Sequence, residues 1–254
     1  MFSQINLSGY FSHMNEKKYQ FMIILGVFVL QYFFEHIFPQ KKEYNNVRNE
    51  LRNTGIGIIN TALLFIPSAF IVELLYQVDI HHFGLFQLIN LSLSINILLT
   101  IVLMDLAMYW WHRFNHTVGI FWRFHKFHHK DLKMNTTTVL RFHIVELLFS
   151  NLFKAIFFLL MGFSFLPVLI YEIILFISIV VHHSNINITV NFDMLYRKIF
   201  SSPLMHRIHH SKKQEETDTN YGSVFSCWDR FFRTYKREAS GEIIFGIDEN
   251  RKVE

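Results

Sequence analysis

The chain alternates long apolar runs with short polar ones, and the runs have the length that a bilayer asks of a helix. About 20 apolar residues span the hydrocarbon layer. Residues 19–39 form the first such run, and residues 54–77 the second, with Pro67 set to kink it. Residues 85–111 form the third, ending in the aromatic belt Tyr109-Trp110-Trp111. The apolar stretch 144–181 is too long for one span and fits two short ones turned at Gly162 to Pro167. From Ser184 onward the chain is polar. No strand-like alternation, internal repeat or low-complexity tract interrupts this plan. The pattern predicts an all-α integral membrane protein, with four to five apolar helices and a helical cap on one side. It reads as one domain over 1–254, with membrane helices in 1–111 and a catalytic region in 112–254.

Charge orients the helices. The polar segments 40–53, 112–143 and 184–254 carry 4, 6 and 11 Lys or Arg, whereas 78–84 and 162–167 carry none. By the positive-inside rule the three basic segments share the cytoplasmic face. Two features run against this simple picture. Lys17 and Lys18 fall on the other side, and Lys154 sits inside an apolar run, where 144–154 could instead be an interfacial helix. Composition agrees with a membrane protein. Of 254 residues, 51% are hydrophobic and 29 are Phe, and the mean hydropathy is +0.24. The net charge of +4 and a pI near 9.1 follow from the basic loops and do not call for a nucleic-acid partner. One cysteine excludes a disulfide framework and any thiolate cluster, so a metal site must use His and carboxylate. The first apolar run lacks a small-residue cleavage site, which argues against a removable signal peptide.

The chemistry lies in the histidines. His112 and His116 are four apart; His125, His128 and His129 follow nine residues later; His206, His209 and His210 repeat that spacing near the C-terminus. Residues three and four apart share a helix face, so each cluster is expected to point its imidazoles one way. Eight nitrogens converging from three helical pieces suit two metal ions with open positions. His182 and His183, at the end of the last apolar run, bring a ninth ligand if 144–181 is a hairpin. His143, where the chain re-enters the membrane, is a ligand or supporting donor in this reading. His13, His36, His81 and His82 read as solvated. Carboxylates in apolar helices are costly and point to function. Asp105 lies two turns before His112, and Glu172 three turns before His183, placed to fix ligand tautomers. Glu146 lies near His143. Metals at a membrane boundary under an apolar floor suit oxidation of lipid C–H bonds by activated O₂.

These residues resemble the fatty acid hydroxylase/sterol desaturase superfamily of integral-membrane di-iron enzymes. The resemblance runs from about Asp105 to Tyr235. It covers the three histidine boxes, Asn135-Thr136-Thr137, Arg141-Phe142-His143, His183-Ser184-Asn185, Asn220-Tyr221-Gly222 and Trp228-Asp229-Arg230-Phe231-Phe232. It implies two iron ions, O₂ as co-substrate, and hydroxylation or desaturation of a lipid or sterol-like substrate. It implies as metal ligands His112, His116, His125, His128, His129, His183, His206, His209 and His210, with Asp105 and Glu172 assisting. The chain has no Gly-rich dinucleotide fingerprint, so electrons are expected from a separate donor of ferredoxin or cytochrome b5 type. Two positions depart from the pattern: His182 stands where Gln is expected, and Arg233 where Gly often precedes Thr-Tyr. Arg and Lys around the boxes (Arg113, Arg123, Lys126, Arg207) offer contacts for lipid head groups or an acidic donor. A membrane zinc hydrolase is the alternative, weakened because Arg113 stands where His-Glu-x-x-His would place its Glu base. A bis-His haem protein would need few histidines deep in the membrane, not clusters at one interface. The short loops lean toward a bacterial inner membrane.

Overall fold

The computed structural model describes residues 7–249 and 251, with side chains described from residue 16. Ten α-helices follow one another among the described residues: α1 (Leu7–Ile37), α2 (Val47–His81), α3 (Leu93–Thr117), α4 (Gly119–His129), α5 (Ile144–Met161), α6 (Phe165–His183), α7 (Val190–Tyr196), α8 (Pro203–His209), α9 (Gln214–Thr217) and α10 (Cys227–Phe231). Sheet pairing among the described residues is limited to three isolated bridges. Five helices, α1, α2, α3, α5 and α6, are long and apolar enough to cross a bilayer. Contacts pair α1 with α6, α3 with α6, α2 with α5, and α3 with α4.

The surface is that of a membrane protein. Phe65, Ile66, Leu98 and Leu160 are among many large apolar side chains that face outward. Inside lie two layers. One is apolar, built on Leu75, Met104, Phe158, Phe163, Phe165 and Tyr171. The other is polar, built from buried histidine, asparagine, threonine and carboxylate. Burial of so many polar groups requires that they bond one another.

The hairpin expected in 144–181 is present. Gly162 ends α5 in the left-handed region (φ 69°), which glycine enters without a Cβ penalty. A Cβ on Gly84 would lie 2.4 Å from the Gly162 backbone, so the two loops that lack Lys and Arg touch. Gln87 donates to the Gly162 carbonyl at 3.0 Å. Two expectations need correction. The segment 144–154 is not a separate interfacial helix but the first part of α5. Its lysine is accommodated because Lys154 donates to Glu172 of α6 at 3.3 Å. And the third helix does not stop at its aromatic belt; α3 continues through His112 and His116 to Thr117, carrying both toward the cap.

Helix ends place the rest. Asn46 caps α2 by accepting from the Asn49 N–H at 3.1 Å, and Ser202 caps α8 ahead of Pro203 at the favoured first helical position. Between α4 and α5, Asn135 closes a capping box on the short helix Thr136–Leu140. Glu35 of α1, fully buried, accepts from the N–H groups of Thr136 and Asn185, each at 2.9 Å. That one carboxylate ties the two loops flanking the histidines to the first helix.

Candidate metal centre

Nine imidazoles meet in the polar layer. They form two groups: His112, His116, His125, His129 and His209; and His128, His183, His206 and His210. In each group the ligand nitrogens lie within 4.8 Å of one another, and every ring except half-buried His112 is buried. His128 and His210 rings, 4.8 Å apart, and His129 and His210, 4.3 Å apart, belong to one continuous cluster.

The sorting follows helix geometry more finely than shared faces. On α3, His112 and His116 share a group. On α4, His125 and His129 share that same group, while His128 turns to the other. On α8 and its C-cap, His206 and His210 stay together while His209 crosses over. Residues four apart differ by about 40° around the axis, and residues three apart by about 60° in the other sense. The i, i+4 pairs therefore join one group, and the i+3 neighbour reaches the second. This corrects the expectation that each cluster aims all its rings one way.

Most rings are held by their Nδ1 atoms. His112 donates to the Tyr221 carbonyl at 2.9 Å, His209 to the Thr219 carbonyl at 2.8 Å, and His183 to the Ile179 carbonyl at 2.8 Å. His128 donates to the Arg141 carbonyl at 3.3 Å. His125 Nδ1 meets the Glu146 carboxylate at 2.6 Å, His116 Nδ1 lies 3.5 Å from Asp218, and His129 Nδ1 lies 3.5 Å from the Thr217 hydroxyl. Such partners fix the tautomer and leave Nε2 as the free donor atom.

This bonding tests whether a cation fits. A carbonyl only accepts, so Nδ1 of His128 and of His183 carries the proton. In a neutral ring Nε2 is then a lone pair. Those two Nε2 atoms lie 3.0 Å apart, and His206 Nε2 lies 3.0 Å from His183 Nε2. Facing lone pairs repel unless a cation sits between them. Nitrogens about 2.1 Å from a shared ion are about 3 Å apart when they subtend a right angle. Burial, aided by neighbouring imidazoles, holds His128, His129, His206, His209 and His210 well below the usual histidine range. The rings are thus neutral at physiological pH, the form that ligates.

The two carboxylates expected to support ligands are placed elsewhere. Asp105 is fully buried, but it accepts from the Val224 and Phe225 N–H groups (3.1 and 2.9 Å) and from the Trp228 indole (2.8 Å). It pins a loop rather than an imidazole. Glu172 accepts from Lys17 at 3.1 Å, Gln20 at 3.2 Å and Lys154. Spacing from His112 and His183 fixed only which side of their own helices these residues occupy; the partner was set by what faced them. His143 caps α5, its Nδ1 accepting from the Val145 N–H at 3.2 Å, and stands outside both groups. His182 is also outside them, its ring centroid 3.9 Å from that of His206.

Sequence reasoning undervalued the segment 217–222, which places Thr217, Asp218, Thr219 and Tyr221 beside four of the clustered imidazoles. Its signal was the polar run following the third histidine box. Asp229 anchors this segment by accepting from the Tyr221 and Gly222 N–H groups at 2.7 and 2.9 Å. Burial lifts the Asp229 carboxyl to about 6. Arg233, at the position where glycine was expected, has φ 60°. The turn needs the left-handed conformation, and an arginine adopts it here at a strain cost.

A cavity of about 200 Å³ opens onto both groups. Its walls include Met108 and Trp111 of α3, Leu147, Ser150 and Lys154 of α5, and Leu175 and Ile179 of α6, and it reaches His112, His125, His128, His183 and His206.

Comparison with known proteins agrees with this site. The family model described as "Fatty acid hydroxylase" matches residues 97–234, more than half of the chain. The ornithine lipid hydroxylase OlsE of Rhizobium tropici is 26% identical over 224 residues, covering 84% of this chain and 66% of that protein. Alkylglycerol monooxygenases from Homo sapiens and Xenopus tropicalis are 29% and 30% identical, covering 56% and 59% of this chain but 31% and 32% of theirs. The chain thus spans about two thirds of the first relative and a third of the others. No solved structure matches. The matched region begins within α3 and ends past the loop that Asp229 anchors, so it takes in every one of the nine clustered imidazoles, and this chain belongs to the fatty acid hydroxylase family.

Proposed function

We propose that this protein is a membrane-bound di-iron oxygenase that hydroxylates a lipid with O₂. The observation that carries the reading is the pair of adjoining imidazole groups at the end of a cavity walled by membrane helices. His112, His116, His125, His129 and His209 would hold one ion, and His128, His183, His206 and His210 the other. A bound iron pair supplies the O₂ activation that an inert C–H bond demands. The protein's own residues do the rest. Carbonyls of residues 141, 179, 219 and 221 keep the rings in one tautomer. Glu146 orients His125 and fixes its tautomer. Asp105 positions His112 at one remove, by holding the loop that contains the Tyr221 carbonyl. Met108, Trp111, Leu175 and Ile179 exclude water and receive the chain of the lipid. Both kinds of relative, a lipid hydroxylase and a monooxygenase, favour hydroxylation over desaturation.

Inserting one oxygen atom of O₂ into a C–H bond, with the other leaving as water, consumes two electrons and two protons. One exposed cysteine offers no internal redox centre. The reductant is therefore a separate carrier of ferredoxin or cytochrome b5 type. A concavity lined by Arg48, Arg52, Lys130, Lys133 and Arg141, with no carboxylate among its lining residues, suits an acidic carrier. It lies one hydrogen bond from the centre, through the Arg141 carbonyl on His128. By the positive-inside rule this face is cytoplasmic, and the short loops favour a bacterial inner membrane.

The test is metal analysis and turnover of the purified protein, with lipid profiling of cells carrying wild type or His128→Ala. About two irons per chain and O₂-dependent hydroxylated lipid are expected. One zinc and no iron would favour a zinc hydrolase instead, and turnover undiminished after metal stripping would end any metal-dependent reading.

A further inference from the structure

The cavity wall along α5 is not plain hydrocarbon. Glu146, Ser150 and Lys154 recur every four residues, which puts them in one stripe, and all three line the cavity. The rest of the helix, IVELLFSNLFKAIFFLLM, is largely apolar. Glu146 is occupied by His125. The other two have donors to spare. The Ser150 hydroxyl makes no hydrogen bond among the described residues. Lys154, the one Lys or Arg on the cavity wall, bonds only the Glu172 carboxylate, leaving two of its three N–H donors. Glu172 does not depend on it for charge balance, because Lys17 and Gln20 bind its other oxygen at 3.1 and 3.2 Å.

Unused donors at membrane depth are costly and mark the path of a ligand. A methylene chain offers them nothing. We propose that Ser150 and Lys154 receive the oxygen atoms of the lipid's linkage region, an ester or amide carbonyl or a hydroxyl. The inference rests on the cavity being the substrate site, and it narrows the substrate to a polar lipid oxidised near its head-group linkage. An unsubstituted mid-chain methylene is the wrong target. Along α5, Ser150 and Lys154 stand about 6 and 12 Å beyond Glu146, which touches the ligand shell. The oxidised carbon and the bound oxygens are thus separated by roughly that range.

Binding can be read without turnover, since Trp111 lines the cavity. The probes are a monoacylglycerol and a hydrocarbon of equal length, each brominated in the chain to quench tryptophan. Lys154→Met should weaken monoacylglycerol binding on the order of tenfold, as loss of a charged hydrogen bond does, and Ser150→Ala about threefold. Hydrocarbon binding, iron content and melting temperature should not change, and Lys154→Arg should restore most of the affinity. If Lys154→Met does not fold, the double variant Lys154→Met/Glu172→Gln removes both charges together and is measured instead. Equal loss for both probes, or no loss for the monoacylglycerol, overturns the proposal. A wild-type protein that binds as expected yet oxidises nothing would sink the oxygenase reading while leaving this one standing.

Discussion

The two imidazole groups are built from the same residue type on shared helices, yet they are held differently. In the five-membered group four Nδ1 atoms are hydrogen-bonded, that of His125 to the Glu146 carboxylate, while His116 Nδ1 makes no hydrogen bond and faces the Asp218 carboxylate at 3.5 Å. In the four-membered group only His128 and His183 are held, both by backbone carbonyls; Nδ1 of His206 and of His210 has none. The first group is braced by the cap, and the second leans on ring packing. The lesson is that ligand count alone does not set affinity, because outer contacts set ring orientation and basicity. The four-membered position should therefore give up its ion first to a chelator.

Breaking either group tests whether both are needed. His129→Ala and His183→Ala should each abolish lipid hydroxylation, with iron falling from about two to about one per chain if the positions bind independently. Retention of two irons in either variant would dissolve the division. Glu146→Gln should lower activity or iron affinity by 10–100-fold, since it alters the brace on His125 without removing a ligand. A change confined to the four-membered position would contradict the assignment of Glu146.

Acid should act on both groups. His128, His129, His206, His209 and His210 are held below the ordinary value near 6.5 that they regain on unfolding. Below that pH the unfolded chain binds more protons, so their contribution is complete above about 6.5 and is lost as pH falls toward the folded values. Melting of metal-free protein should drop between pH 7 and pH 5; a flat profile would mean that the rings are not buried and neutral. The smallest effect concerns the braced group alone. Arg233→Gly relieves a left-handed arginine in the turn after α10, whose Thr234 carbonyl accepts from the Asn220 N–H beside Tyr221, and should stabilise the protein by about 1 kcal/mol, read from chemical denaturation.

Much of this was legible in the residues. Run lengths gave the membrane helices, and the Gly162 turn gave the hairpin that brings His183 beside the boxes. The imidazoles were recognisable by spacing. What spacing could not supply was the third dimension. His128 and His129 are adjacent in sequence and serve different groups. Asp105 and His112 share a helix side, yet Trp228 and the 224–225 backbone reach the carboxylate first. Thr219 and Tyr221 act through carbonyls, which no side-chain pattern reveals. Arg233 could be read as a departure from glycine, but not as a strained one until its φ was known.

The length of α2 bears on how the protein sits in its bilayer. At 35 residues α2 is about 52 Å long, well beyond a hydrocarbon thickness of about 30 Å. Its early turns grip the floor of the centre, where Asn53 donates to Asp131 at 2.8 Å and accepts from Arg141, whose carbonyl steadies His128. Its far end abuts the Gly84–Gly162 contact. Pro67 lies inside this one continuous helix, and a thinner or thicker membrane would be met by a change in its tilt that is felt at that floor. Turnover should accordingly track the acyl length of the host lipids, making the surrounding bilayer a tuning element of the metal site.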